Sequence, residues 1–195
     1  LMLRFFLLFF IFPSLAFSQI TLLPQVGSER FELHQLYSIS NGDSIRIDQF
    51  KWYMSTALEE VHLVDASEPS TYALPFSSNA IQMGLDSTAN TAGRFDGAYD
   101  PLLGMYWAWN TGYIHLKLVG CLVQKGNQFP FEYHIGGYKA PFETFLPIKI
   151  PAGTNKIPLH LERFFVALPI TTTPNIMLPG AAAQQIFHAF STVFE

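Results

Sequence analysis

A disulfide framework is excluded first, because the chain contains a single cysteine, Cys121, among 195 residues. A chain of this size without a bridge must be held by its core. Cys121 follows Leu118-Val119-Gly120 and reads as a small buried hydrophobe rather than a metal thiolate. Charge is scarce as well: eleven Lys and Arg stand against fifteen Asp and Glu, 13% of the sequence. An acidic balance with no basic stripe excludes a nucleic-acid footprint and an electrostatic hold on anionic lipid. No apolar run reaches the roughly 20 residues that a membrane-spanning helix needs. Catalytic signatures are missing too. The sequence carries no G-x-S-x-G elbow, no H-E-x-x-H and no phosphate-binding loop. A Ser-His-Asp set assembled in space stays open, since triads are defined by geometry rather than order. With no motif calling for an enzyme, the chain reads as non-enzymatic.

What is present begins with a leader. Met2-Leu3-Arg4 supplies one positive charge, Phe5 to Phe12 is wholly apolar, and Pro13-Ser14 breaks the run. Ala16 and Ser18 then give the small-x-small exit of a secretory signal peptide. The expectation is a signal peptide over 1–18 and a single domain over 19–195, periplasmic or secreted, with no membrane span after cleavage. Without Arg4 the mature chain would carry ten basic against fifteen acidic side chains, a net charge of −5.

Thirteen glycines and thirteen prolines cut the rest into short segments. Ser44 to Asp48 alternates polar and apolar residues, as a half-buried strand does. Ile114, Leu116 and Leu118 share one face, with His115 and Lys117 opposite. Phe129, Phe131, Tyr133 and Ile135 form an inward row, with Glu132 and His134 on the other side. Ile157, Leu159 and Leu161 alternate with His160 and Glu162. The segment 50–58 is compatible with a strand or one short helix. Ala183, Ile186, Phe187 and Phe190 fall at helical spacing after Pro179-Gly180. These patterns predict an all-β fold, an antiparallel β-sandwich with one C-terminal amphipathic helix.

Three clusters carry chemistry-bearing side chains. Histidines stand at 34, 62, 115, 134, 160 and 188, none at a close ligand spacing. Imidazole suits copper and zinc when strands bring two rings together. Trp107 and Trp109 are two apart and project to one side of an extended segment. They read either as core aromatics or as an exposed pair that stacks on a ligand. The connection 86–104 is rich in Asn, Asp, Gly and Thr. Its Asp86, Asn90, Asp96 and Asp100 are hard oxygen donors without EF-hand spacing, and turn residues are their default role.

In order along the chain, several segments resemble the MbnP-like family, the methanobactin-associated periplasmic copper proteins and their exported relatives. They are Lys51-Trp52-Tyr53, His62-Leu63-Val64-Asp65, Gly84-Leu85-Asp86-Ser87, Asp100-Pro101, Gly104 to Trp109, Gly112-Tyr113, His134-Ile135-Gly136-Gly137 and Ile176 to Gly180. The likeness spans nearly all of 19–195. It implies a β-rich periplasmic domain that binds copper, Cu(I) rather than Cu(II), between histidines and a tryptophan that a dihaem partner enzyme oxidises to kynurenine. Carried over, the metal residues are His62, His134, Trp107 and Trp109. The branch nearest the methanobactin systems has a cysteine soon after H-x-G, whereas this chain reads Gly137-Tyr138, which places it in another branch. The alternative reading is a β-sandwich recognition module that binds a glycan or a protein partner through Trp107, Trp109 and loop 86–104. Geometry separates the two, because a shared copper requires His62 and His134 on neighbouring strands or at one end of the fold.

Overall fold

The computed structural model describes residues 19–39, 42–56, 60–76, 80–107, 112–151 and 153–194. The expected leader at 1–18 and Trp109 lie outside the described residues. The strands in chain order are β1 (Ile20–Val26), β2 (Glu29–Arg30), β3 (Leu36–Ser38), β4 (Ser44–Thr56), β5 (Val61–Asp65), β6 (Ala73–Leu74) and β7 (Ala80–Gly84). They continue as β8 (Tyr106–Trp107), β9 (Gly112–Tyr113), β10 (Leu116–Gln124), β11 (Asn127–Ile135), β12 (Phe145–Lys149), β13 (Lys156–His160) and β14 (Asn175–Ile176). Among the described residues three α-helices are interspersed: α1 (Ser87–Thr91), α2 (Leu161–Ala167) and α3 (Ala181–Ser191).

The architecture is organised by β4. One of its edges pairs with β10 and then β7, the other with β3 and then β5. Beyond β10 lie β11 and β14, and beyond β7 lies β12, completing an eight-stranded sheet. A four-stranded sheet forms around β1 with β13, β2 and β6.

Why β4 resists an unambiguous sequence reading follows from its environment. Ile45 and Ile47 point to the main core, and so do Phe50, Trp52 and Met54, although the parity changes between the two groups. The register against β10 shifts between Val119 and Gly120, a bulge that inserts one residue and restores the apolar face. Gly120 allows the close approach: a Cβ there would meet Phe131 Cζ at 3.0 Å and run into the Arg46 carbonyl. Tyr53 on the other face is also buried. A strand covered on both sides loses its period-two pattern, which is why 50–58 looked equally helical. Over its described length, to Thr56, it is strand.

The main core unites both sheets with α2 and α3. Phe131, Tyr133 and Ile135 are buried in it with Leu116 and Leu118, as the alternation predicts. Phe129 is only partly buried at its edge. Helix α3 buries Ala183, Ile186, Phe187 and Phe190. Phe190 meets Trp52 at 5.5 Å and Phe50 at 5.4 Å between ring centroids, both edge-on.

The structure corrects the expected fold in three respects. Pairing is not wholly antiparallel, since β1 with β13 and β11 with β14 run parallel. The alternation read through 157–162 ends at His160, where α2 begins, and Leu161, Phe164 and Phe165 are its buried side. Ile114 is buried but joins a second, smaller core rather than the row of Leu116 and Leu118.

Phe131 is 2% exposed at the centre of the larger core. Phe131→Ala should therefore cost about 3–5 kcal/mol in denaturant titration, the range for buried Phe truncation. A loss under about 1 kcal/mol would contradict this packing.

Candidate metal site on the capped face

The second core explains the long connection. Residues 85–107 and 112–114 fold over the face of the large sheet opposite the main core, bringing Leu85, Ala89, Tyr99, Met105, Trp107, Tyr113 and Ile114 onto Tyr53 and Leu63. This cap is built from short turns rather than open loop. Asp86 caps α1 by accepting from Ala89 N–H at 2.7 Å, and Asp100 caps the turn Pro101–Leu103 by accepting from Leu102 N–H at 2.9 Å. Asp96 pairs with Arg94 at 3.7 Å, and Asn90 is buried. The oxygen donors weighed for a hard cation are thus engaged locally and do not converge.

Two lysines fasten the cap. Lys51 Nζ sits 2.7 Å from Asp65 Oδ2 and donates to the Leu103 carbonyl at 3.3 Å. Lys117 donates to the Gly104 carbonyl at 3.4 Å. Burial, then repulsion from Lys51, holds the Lys117 ammonium below its ordinary pKa. His134, Lys117, Lys51 and Asp65 lie opposite one another across β11, β10, β4 and β5, a polar row on the capped face.

His134 is the histidine on this face that β11 presents. Its side chain is 15% exposed, and Nε2 lies 2.9 Å from Glu132 Oε1, whose charge opposes the lowering of its pKa. Burial first, and the Lys117 charge second, depress its pKa, so the imidazole is neutral at neutral pH. Two residues further on, Gly136 leaves room for the Trp107 indole: a Cβ there would meet Trp107 Cζ3 at 2.9 Å and run into the Tyr113 carbonyl. Gly136 of the H-x-G segment therefore packs with Trp107 and Tyr113 as one unit. Trp107 is 5% exposed and rests on Gly136, two residues beyond His134.

His62 is elsewhere. It stands on β5 opposite Met54, three residues from Asp65 and so on the other face of the sheet. Its Nε2–H donates to the Thr71 carbonyl at 2.7 Å, and its ring meets Phe76 edge-on at 6.3 Å. Strands β4 and β10 separate it from β11, about 14 Å at normal strand spacing. The expectation that His62 and His134 share one ion is not met: their side chains leave opposite faces of the same sheet. Among the described residues no group of three His, Cys, Asp or Glu side chains converges to hold a metal.

The residue whose burial sequence reasoning missed is His115, expected on the face of Lys117. It is 0% exposed. The chain bends there before β10 begins, and the ring is clamped between cap and sheet. Nδ1 lies 2.8 Å from both the carbonyl and hydroxyl oxygens of Thr144, and Nε2 lies 3.2 Å from Asn90 Oδ1. Asn90 Oδ1 also accepts from Tyr113 N–H at 3.0 Å. The ring unites α1, β9 and the turn before β12. The clue in the sequence was the density of aromatics from Tyr99 to Tyr113, enough to cover the face His115 was assigned to.

Full burial pushes the His115 imidazole down to about 4. The unfolded chain takes up that proton near 6.5, and the native state only near 4. Between those values the unfolded state binds more protons, so stability is complete above about 6.5 and falls as pH drops toward 4. The ceiling on this contribution is about 3 kcal/mol. Urea titrations at pH 7, 5.5 and 4.5 should show wild type losing more stability than His115→Gln. Equal losses would contradict the neutral, buried ring.

The described residues include no helix long and apolar enough to cross a membrane. No curated protein matches the chain. Among solved structures, MbnP from Methylosinus trichosporium superposes with a TM-score of 0.50 over 85% of this chain and 82% of that one, at 12% identity. Identity that low speaks for a shared fold alone. The family described as MbnP matches residues 16–178, most of the sequence, and the chain belongs to that family.

Proposed function

We propose that the protein is an exported, non-enzymatic copper-binding member of the MbnP family, with copper carried on the capped face at the His134 end of β11. The observation that supports it best is the pairing of His134 with Trp107. A shielded imidazole, whose Nε2 faces the Glu132 carboxylate at 2.9 Å, lies two residues from the glycine on which the indole rests. Neutral imidazole is the metal-binding form, and soft Cu(I) accepts few ligands. A kynurenine formed from Trp107 by a dihaem partner enzyme would add an aromatic amine beside it. In this reading the frame is a β-sandwich, with the β1 sheet and the two C-terminal helices supporting the large sheet from behind. Export rests on the leader at 1–18.

This assignment revises the ligand set expected from the family. His134 and Trp107 are kept, and His62 is set aside because its Nε2–H is given to Thr71 on the opposite face. The recognition-module alternative called for an exposed pair, and Trp107 is buried at 5% exposure.

Protein purified from its native host, analysed for metal content and by intact mass, should carry copper and lack residues 1–18. In competition with a Cu(I) chelator, His134→Ala should weaken binding at least about 10-fold, in the range for loss of a metal-site residue. His62→Ala should bind like wild type. Unchanged affinity in His134→Ala, or a loss confined to His62→Ala, would overturn the site.

A further inference from the structure

Trp107 presents its other side to a cavity of about 220 Å³ between the cap and the loop after β11. The walls include Trp107, Tyr113, Tyr138, Phe142, Pro141 and Pro179. The charged side chain among the lining residues is Lys139, whose Nζ stands over the Tyr138 ring at 5.2 Å from its centroid. Tyr113 and Tyr138 are also walls of a neighbouring cavity of about 260 Å³, lined further by Phe95, Tyr106 and Asn90. Phe142 is 38% exposed and Phe95 55%, so apolar surface extends from the two cavities to solvent.

Size and chemistry limit what such a slot takes. An apolar cavity of about 150 Å³ accommodates a benzene ring, so the Trp107 cavity holds one ring with a short chain. It is smaller than the roughly 300 Å³ at which drug-sized sites begin. Aromatic walls gain from a ring placed edge-on or offset against them, beyond the gain from burial. A single ammonium at the rim favours a ligand bearing one negative charge at the outer end.

We infer that the cavity walled by Trp107, Tyr138 and Phe142 is a binding site for a small aromatic carboxylate, its ring in the slot and its carboxylate at Lys139. The site shares the Trp107 wall with the copper reading, but its test varies only residues outside the candidate metal site. It is formed by the metal-free protein, and neither Lys139 nor Phe142 belongs to the candidate metal site.

The test uses the full, metal-free chain and three probes: 3-phenylpropionate, its neutral analogue 3-phenylpropanol, and acetate. Calorimetry or ligand-observed NMR should give a dissociation constant for the acid of about a millimolar, as expected for one buried ring. The alcohol should bind about three- to five-fold more weakly, the worth of one solvent-facing charge contact. Acetate should not bind. Lys139→Gln should bring the acid to the affinity of the alcohol. Phe142→Ala, a change at a loop position that is 38% exposed, should weaken both ring-bearing probes. The inference is overturned if the acid fails to bind, if acid and alcohol bind wild type equally, or if Phe142→Ala leaves both affinities unchanged.

Discussion

The capped face depends on one buried polar contact set, the His115 imidazole held between Asn90 and Thr144. Each hydrogen bond there is worth about 1 kcal/mol net, but leaving one of these buried groups unpaired costs about 1–3 kcal/mol. The cap and the sheet are thus committed to one relative position. Asn90 brings α1 with it, and its Oδ1 fixes the backbone of Tyr113. Tyr113 in turn anchors the cap interior, with its ring edge-on to Tyr53, Tyr99 and Tyr106. Its hydroxyl donates to the Arg94 and Tyr99 carbonyls.

The environment of His134 follows from that docking. Were the cap displaced, Lys117 opposite His134 would lose the Gly104 carbonyl, and the Trp107 indole would leave Gly136. The cap therefore does two jobs with one set of contacts. It buries the apolar side of β4 that the main core does not reach, and it shields one histidine beside one tryptophan. His62, paired with Thr71 behind the sheet, has a structural part in tying β5 to the following turn.

Much of this was legible in the sequence, and the gaps have a common cause. Alternation along 116–118 and 131–135 placed the main core because those strands present one apolar face to it. The helical spacing of Ala183, Ile186, Phe187 and Phe190 placed α3 for the same reason. Periodicity failed at β4 and at His115, where a second layer covers the face that period-two logic assigns to water. It also failed at Leu161, where the strand's apolar phase runs into the first buried position of α2. At the candidate site, the family resemblance pointed to His134 and to Trp107 or Trp109, and Gly136 joins the first two in one packing unit, Trp109 lying outside the described residues. The resemblance also pointed to His62, because a motif reports which residues recur and not which face of a sheet they occupy.

The central claim is that copper is held beside His134 under the cap and not between His134 and His62. Imidazole nitrogen NMR signals, followed through anaerobic addition of Cu(I), test it directly. The account predicts that the His134 ring nitrogens shift as copper is added, while those of His62 keep the signature of an Nε2–H donated to a carbonyl. Metal-induced shifts in the His62 ring with His134 unmoved would contradict it.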